Sequence, residues 1–371
     1  MKQTNISMIV QDVINHLEEL APLAYAEDFD NVGLLVGNKS QQVTGVLVTL
    51  DTLEAVVGEA IKENCNLIVS FHPIIFKGLK KLTGKNYVER VVMKAIKHDI
   101  AIFSIHTALD NALQGVNNMI CNQLELKNKT ILIPQSETIK KLTTYVPKNE
   151  AKALRTALFK IGAGSIGNYS DCSFNVEGYG TFKGNEDSNP TKGQKGKTHT
   201  EDETKITVTY AKHIEPQVLK TLFNTHSYEE IAYEVTTLEN KNQNIGLGMI
   251  GEFEDVMDES SFLNHLKTKM NTECIRHSSF LNKNIKKVAV LGGSGSFAIQ
   301  AAKASGADAF VTADLKYHDF FTSENGILLA DIGHYESEQF TKNLLVAYLT
   351  KKITNFAVIL SKINTNPVKY F

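Results

Sequence analysis

The chain contains no tryptophan, an absence that by itself excludes nothing. Its four cysteines, Cys65, Cys121, Cys172 and Cys274, are far apart and form no C-x-x-C pair. Neither a zinc ribbon nor a disulfide framework is indicated, and a reduced, cytoplasmic protein is expected. No apolar run approaches the roughly 18 residues of a membrane-spanning helix. No charge sign dominates: 39 Lys and Arg face 41 Asp and Glu, a net charge of -2. Neither nucleic acid nor an anionic membrane is therefore expected as a bulk electrostatic partner. The opening stretch "MKQTNISMIVQDVINHLEEL" carries Asp12, Glu18 and Glu19 where a signal peptide would stay apolar. It reads as an amphipathic helix.

What the chain does have is length and alternation. Its 371 residues, 42% of them apolar, suffice for two or three domains with a large core. Residues 1–126 alternate strand-like runs with helical periodicity: "VTGVLVTL", "LEAVVGEAIKEN", "NLIVSF", "YVERVVMKAIKHD", "IAIFSI". That alternation predicts a parallel α/β sheet covered on both faces. Residues 127–244 read as a compact α+β unit of ferredoxin-like type, inserted into the chain. Within it, residues 183–205 are almost devoid of apolar side chains and read as a solvated loop. The polar run "ENKNQN" (239–244) reads as the linker out of it. Residues 245–371 return to the α/β pattern, with "IKKVAVLGG", "ADAFVTAD" and "ILLADIG" as strands.

The outer segments resemble each other. Each has a strand, a histidine and, four residues on, an acid: His106 and Asp110 in the first, His334 and Glu338 in the second. His72 then aligns with Asp314. Two such halves would meet in one pseudo-symmetric core. In open parallel sheets ligands bind beyond the carboxyl ends of the strands, which is where these groups fall. The i, i+4 spacing puts each histidine and its acid on one helical face. Imidazoles mixed with carboxylates suit zinc, iron or manganese. Two cations bridged by a carboxylate can activate water and clamp substrate oxygens.

Two further motifs stand out. "VAVLGGSGSFAIQAA" matches G-x-G-x-x-A at Gly293, Gly295 and Ala298. Either a phosphate sits at a helix N-terminus there, or the turn simply needs small residues. No acid stands cleanly at the spacing a dinucleotide ribose requires, with Asp314 a loose candidate. "DLKYHDFF" offers Lys316, Tyr317, His318 and Asp319 just past a strand end, as an acid/base set, as supports for metal ligands, or as a polar loop entering a helix.

With these motifs assembled, the sequence resembles the NIF-three-like dinuclear-metal-centre family, whose members carry the name GTP cyclohydrolase I type 2 homologue. The resemblance rests on "EDFDNVGLLVG", "SFHPIIFKGLKKL", "IHTALDNALQGVN", "GAGSIGNYSDCSF", "HSYEEIAY", "GGSGSF", "GADAFVTADLKYHD" and "GHYESE". It implies the long form of the family, with an inserted PII/CutA-like domain, and a toroidal homohexamer built from trimers. It also implies that Asp110, His334 and Glu338 are metal ligands, with Glu338 bridging. His72 falls on the second histidine of a His-His-Pro motif, and His106 on a ligating or supporting position. The first histidine of that motif is Phe71 here, and a phenyl ring has no lone pair to give a cation. One or two divalent ions per chain, zinc or alternatively iron or manganese, are therefore expected. His72, His334 and Glu338 would hold the complete position, and Asp110 with His106 a weaker one or a water. His106, His318 and Lys316 are the acid/base candidates. The expected function is metal-dependent hydrolysis of a small phosphate- or purine-bearing substrate. The alternative is a metal-stabilised oligomeric scaffold or regulatory protein.

Overall fold

The computed structural model describes residues 8–354 and 356–371. The N-terminal amphipathic helix runs over Val10–Leu20 and buries Val10, Val13, Ile14 and Leu17, the i, i+3, i+4, i+7 stripe. Residues 1–7 of that predicted helix lie outside the described residues.

The chain divides into two compact units, residues 1–134 with 243–371, and residues 135–242. The first holds two mixed sheets. In one, Val46–Thr49, Leu67–Ser70 and Ala101–Ser104 run parallel. Val358–Leu360 joins them in parallel beside Val46–Thr49, and Gly33–Val36 pairs antiparallel with Ala101–Ser104. The other has the same spatial order: Asn284–Ser294, Ala309–Ala313 and Leu328–Asp331 run parallel. Arg276–His277 pairs antiparallel with Leu328–Asp331, and Asn242–Asp258 with Asn284–Ser294.

The parallel strands Val46–Thr49, Leu67–Ser70, Ala101–Ser104 and Leu328–Asp331 are buried at every position. This is why they read as unbroken apolar runs rather than alternating ones. Each fully buried Leu, Ile, Val or Phe contributes roughly 1.5–3 kcal/mol relative to exposure, and one apolar cluster draws on both sheets. Helices Glu54–Lys62 and Tyr87–Lys97 make the crossovers of the first sheet. The Asn86 side chain caps Tyr87–Lys97 by accepting from the Glu89 N–H at 2.9 Å, and Lys94 and Lys97 occupy the last turn. These connections leave the strand ends clear on one side.

Residues 135–242 form a separate unit. Strand Ile139–Pro147, helix Ala151–Lys160, strands Phe174–Phe182 and His199–Ala211, helix Glu215–Thr225 and strand Tyr233–Leu238 follow in a β-α-β-β-α-β sequence. The sheet is antiparallel, with Ile139–Pro147 between His199–Ala211 and Tyr233–Leu238, and Phe174–Phe182 on the outer edge. Leu142, Val146, Ile206 and Val208 pack against Leu154, Leu158, Val218 and Leu222 of the helices.

Two sequence readings change here. Residues 199–205 of the polar stretch belong to strand His199–Ala211. The rest of that stretch is tied down, with Asn189 N–H donating to Glu229 Oε2 and Thr191 Oγ1 to the Ser227 carbonyl, both at 2.8 Å. The "linker" is partly strand as well, because Asn242–Asp258 begins inside it. Ladder hydrogen bonds satisfy polar sequence in both places, so low hydrophobicity does not mean absent structure.

Candidate metal centre

His72 follows strand Leu67–Ser70, and His334 opens the short helix His334–Glu338 after Leu328–Asp331. Gly333, at φ 89°, makes the turn into that helix, and a Cβ there would lie 2.3 Å from Glu336 Oε2. The two histidines come from different sheets and meet on one carboxylate. His72 Nε2 lies 3.1 Å and His334 Nε2 3.2 Å from Oε2 of Glu338, whose side chain is 3% exposed. Three donor atoms, one from each residue, lie within 4.8 Å of one another. Ligands about 2.1 Å from a shared tetrahedral cation stand about 3.4 Å apart, close to these separations.

The outer nitrogens are also fixed. His72 Nδ1 lies 2.8 Å from Asp51 Oδ1, and His334 Nδ1 lies 2.7 Å from Asp314 Oδ2. Asp314 in turn accepts from Ser294 Oγ. A carboxylate on Nδ1 selects the tautomer whose Nε2 lone pair is free for a metal. Asp314 sits at φ 57°, in the left-handed region that few residues with a Cβ adopt.

Both imidazoles stand at ion-pair distance from Glu338 Oε2, yet neither meets it with hydrogen-bond alignment, so that buried atom has no aligned donor. Asp110 Oδ1, nearby, is likewise buried without one. Two such oxygens beside two imidazoles fit a cation. Without one, the charges distribute as follows. Burial pulls the His72 imidazole down, but Asp51 and Glu338 outweigh it and lift it to about 10. Burial likewise opposes His334, which Glu338 and Asp314 raise to about 9. Burial pushes the Glu338 carboxyl up, yet the two histidines hold it at about 2. Burial and the neighbouring Glu338 charge keep Asp110 well above the usual carboxylate range.

The sequence profile of the Duf34/NIF3 (NGG1p interacting factor 3) family matches residues 8–367. The chain belongs to this family. It is 35% identical over 370 residues to a Bacillus subtilis protein named GTP cyclohydrolase 1 type 2 homolog, covering 97% of this chain and 98% of that one. A Staphylococcus aureus protein of the same name is 36% identical over 370 residues, covering 98% of this chain and all of its own. Among solved structures, a Bacillus cereus protein related to NIF3 superposes with a TM-score of 0.84 at 34% identity, covering 98% of this chain and 99% of that one. A Staphylococcus aureus protein superposes at 0.78 with 32% identity, covering 98% and 99%.

In this NIF3-family chain the remaining sequence candidates divide. His106 and Asp110 stand at the two ends of helix His106–Asp110. They line a cavity of about 460 Å³ together with Glu338, His334 and the Gly292–Ser294 turn. His106 Nδ1 is held 2.8 Å from Asp30 Oδ1, and its ring lies 5.2 Å from that of His72. Burial raises the Asp30 carboxyl, but His106 and Thr107 bring it down to about 2. Phe71 is fully buried, its ring 4.9 Å from His72 and 5.4 Å from His106. A phenyl ring thus packs against both imidazoles.

Lys316 and His318 are exposed, and neither lines this cavity or a second one of about 440 Å³ that His334 also lines. Their segment is a short 3-10 helix, Tyr317–Ser323, whose first turn is closed by the Lys316 N–H donating to Asp319 Oδ2 at 2.7 Å. The structure does not bring them to the centre.

The glycine turn is explained by close approach. A Cβ on Gly293 would lie 2.5 Å from Glu338 Oε1, and one on Gly295 would lie 2.0 Å from Thr312 Oγ1. The turn leads into only three residues of 3-10 helix and then Ile299–Ala304. Small residues are required there by the neighbouring side chains, and the packing reading of G-x-G-x-x-A prevails over phosphate binding.

Sequence reasoning missed Asp51 and Asp30. The strand-end rule that marks His72 also marks Asp51, two residues past Val46–Thr49. Asp30 has no comparable signal.

Proposed function

We propose that this chain is a metal-dependent hydrolase acting on a small phosphate- or purine-bearing substrate. His72, His334 and Glu338 hold a divalent cation, zinc by preference for two imidazoles and a carboxylate, with iron or manganese also compatible. The observation that carries the reading is the convergence of two oriented Nε2 atoms on a buried Glu338 oxygen without an aligned donor. When bound, such a cation supplies Lewis acidity and an activated water.

The rest falls to the chain's own side chains. Asp51 and Asp314 keep both rings in the metal-ready tautomer. Asp110 and His106 hold a second, weaker cation position or orient water in the 460 Å³ cavity. The second cavity, of about 440 Å³ and lined by Asp51, His72, Arg276, Asp314, His334 and Tyr370 among others, gives further room for substrate. Both volumes suit a small molecule. The name shared by the relatives supports the purine and phosphate class.

The inserted unit is read as PII/CutA-like, on its β-α-β-β-α-β order. The assembly is read as a toroidal homohexamer built from trimers. A cytoplasmic setting is supported by four free thiols and by the absence, among the described residues, of any helix long and apolar enough to cross a membrane.

Phe71 favours a second reading, a metal-stabilised scaffold or regulatory protein, because catalysis suffers more than assembly from a missing ligand. Comparing wild type with Phe71→His for bound metal, oligomeric mass and hydrolysis of nucleotides decides between them. Turnover that appears or rises as bound metal goes from one to two ions supports the hydrolase. Metal removal that only dissociates the oligomer, with no turnover in either form, supports the scaffold.

A further inference from the structure

We propose that Thr365 is a positioning residue for the metal centre: its hydroxyl fixes Asp51, and Asp51 fixes the His72 ring with Nε2 open to a cation. The proposal rests on the metal-site reading above.

Thr365 is only 6% exposed, and its Oγ1 donates to Asp51 Oδ2. The other carboxylate oxygen, Oδ1, faces His72 Nδ1 at 2.8 Å. Both oxygens of Asp51 are thereby engaged, so the carboxylate plane cannot turn without breaking a bond at one end. The order is hydroxyl, carboxylate, imidazole, open Nε2.

His334 shows the same order, with Ser294 donating to Asp314 and Asp314 holding Nδ1, although there both contacts fall on Oδ2. There the hydroxyl comes from the end of an adjacent strand in the same sheet. In the first sheet the strand-end hydroxyls donate to backbone carbonyls instead, Ser104 Oγ to that of Phe71 at 2.7 Å. Thr49 Oγ1 donates to the Asp51 backbone carbonyl at 2.9 Å, and Ser70 Oγ to the His72 carbonyl at 2.9 Å. The C-terminal segment supplies the missing group, from 314 residues away in sequence.

That segment is anchored on both sides of Thr365. Ser361 N–H donates to the Val48 carbonyl and Lys362 N–H to Glu59 Oε1, each at 2.9 Å. Asn366 Nδ2 donates to Glu336 Oε1 at 2.9 Å, reaching the helix that carries His334 and Glu338. Asn366, Pro367, Val368 and Tyr370 then wall the 440 Å³ cavity. The tail is a strap across the strand ends of both sheets, and Thr365 is its contact with the ligand system.

The test uses the full chain with Thr365→Val, Thr365→Ala and Thr365→Ser. The first readout is the His72 Nδ1 proton, followed by 1H–15N NMR in metal-free protein. The second is Co(II) affinity with its visible absorption spectrum. The expected result is loss of the slowly exchanging Nδ1 proton and about tenfold weaker Co(II) binding in the valine and alanine variants, with serine restoring both. In an Asp51→Asn background, Thr365→Val should change Co(II) affinity by less than about twofold. An unchanged His72 proton and unchanged Co(II) affinity in a folded Thr365→Val or Thr365→Ala variant overturn the proposal. If wild type takes up no Co(II), the metal reading fails, and the NMR readout still decides whether Thr365 positions His72.

Discussion

The two sheets of the core share a strand order and differ in what they place at the strand ends. The first ends in Asp51, His72 and His106, and the second in Ser294, Asp314 and His334. Each third strand runs into a short helix with an acid four residues on, Asp110 or Glu338. Glu338 meets its own His334 and also His72 from the other sheet. Asp110 Oδ1 meets no donor, and the buried Phe71 ring packs 5.4 Å from the histidine of that helix. Matching parallel strands thus bring together one set of side chains, His72, His334 and Glu338, that could hold a cation, and leave the other acid without such a set. Fold sets where ligands can stand, and single side chains decide which positions are complete.

The largest expected effect removes the shared carboxylate. Glu338→Gln should cost more metal affinity than the 10–100-fold typical of an outer partner, because it takes away the one group both histidines face. Calorimetric titration with Zn(II) measures this. If Glu338→Gln binds as tightly as wild type, the two sheets do not share an ion.

Phe71→His tests the poor side. Bound metal should rise from about one to two ions per chain, read by elemental analysis. The metal-free variant should lose about 2–4 kcal/mol, because an imidazole replaces a fully buried phenyl ring, and thermal unfolding reads that loss. Adding Asp110→Asn should remove the gained ion and leave the first.

Proton competition sharpens the comparison on the complete side. In the metal-free centre His72 keeps its proton to about 10 and His334 to about 9. A cation must displace both, so raising the pH favours binding. Apparent affinity should climb as the pH rises from about 6 to about 8, protons being released on binding. Flat affinity across that range would mean that the histidines are not the ligands.

Much of this was legible from residue type and spacing. A histidine ending a buried apolar run, or standing four residues before an acid at a strand end, needs only the rule about strand carboxyl ends, which picks out His72, His106, Asp110, His334 and Glu338 alike; the family resemblance and Phe71 narrow these to His72, His334 and Glu338. The supporting contacts are of another kind. Thr365 to Asp51 and His106 to Asp30 join residues 314 and 76 positions apart, and no local pattern encodes such a meeting. The glycine turn was ambiguous because a phosphate and a neighbouring carboxylate both exclude a Cβ. Lys316 and His318 share a strand-end position with the His72, His334 and Glu338 cluster, but their chain turns outward into a 3-10 helix.

The smallest expected effect follows from that outward turn. Lys316→Ala and His318→Ala should leave Zn(II) affinity within about twofold of wild type, as surface substitutions do. A loss above tenfold would bring that segment back into the centre.

Anomalous scattering from a Zn(II)-soaked crystal tests the central claim most directly. The expected result is one strong peak about 2.0–2.2 Å from His72 Nε2, His334 Nε2 and a Glu338 carboxylate oxygen. A peak that leaves out one of the three side chains, or no peak between them at saturating Zn(II), would contradict it.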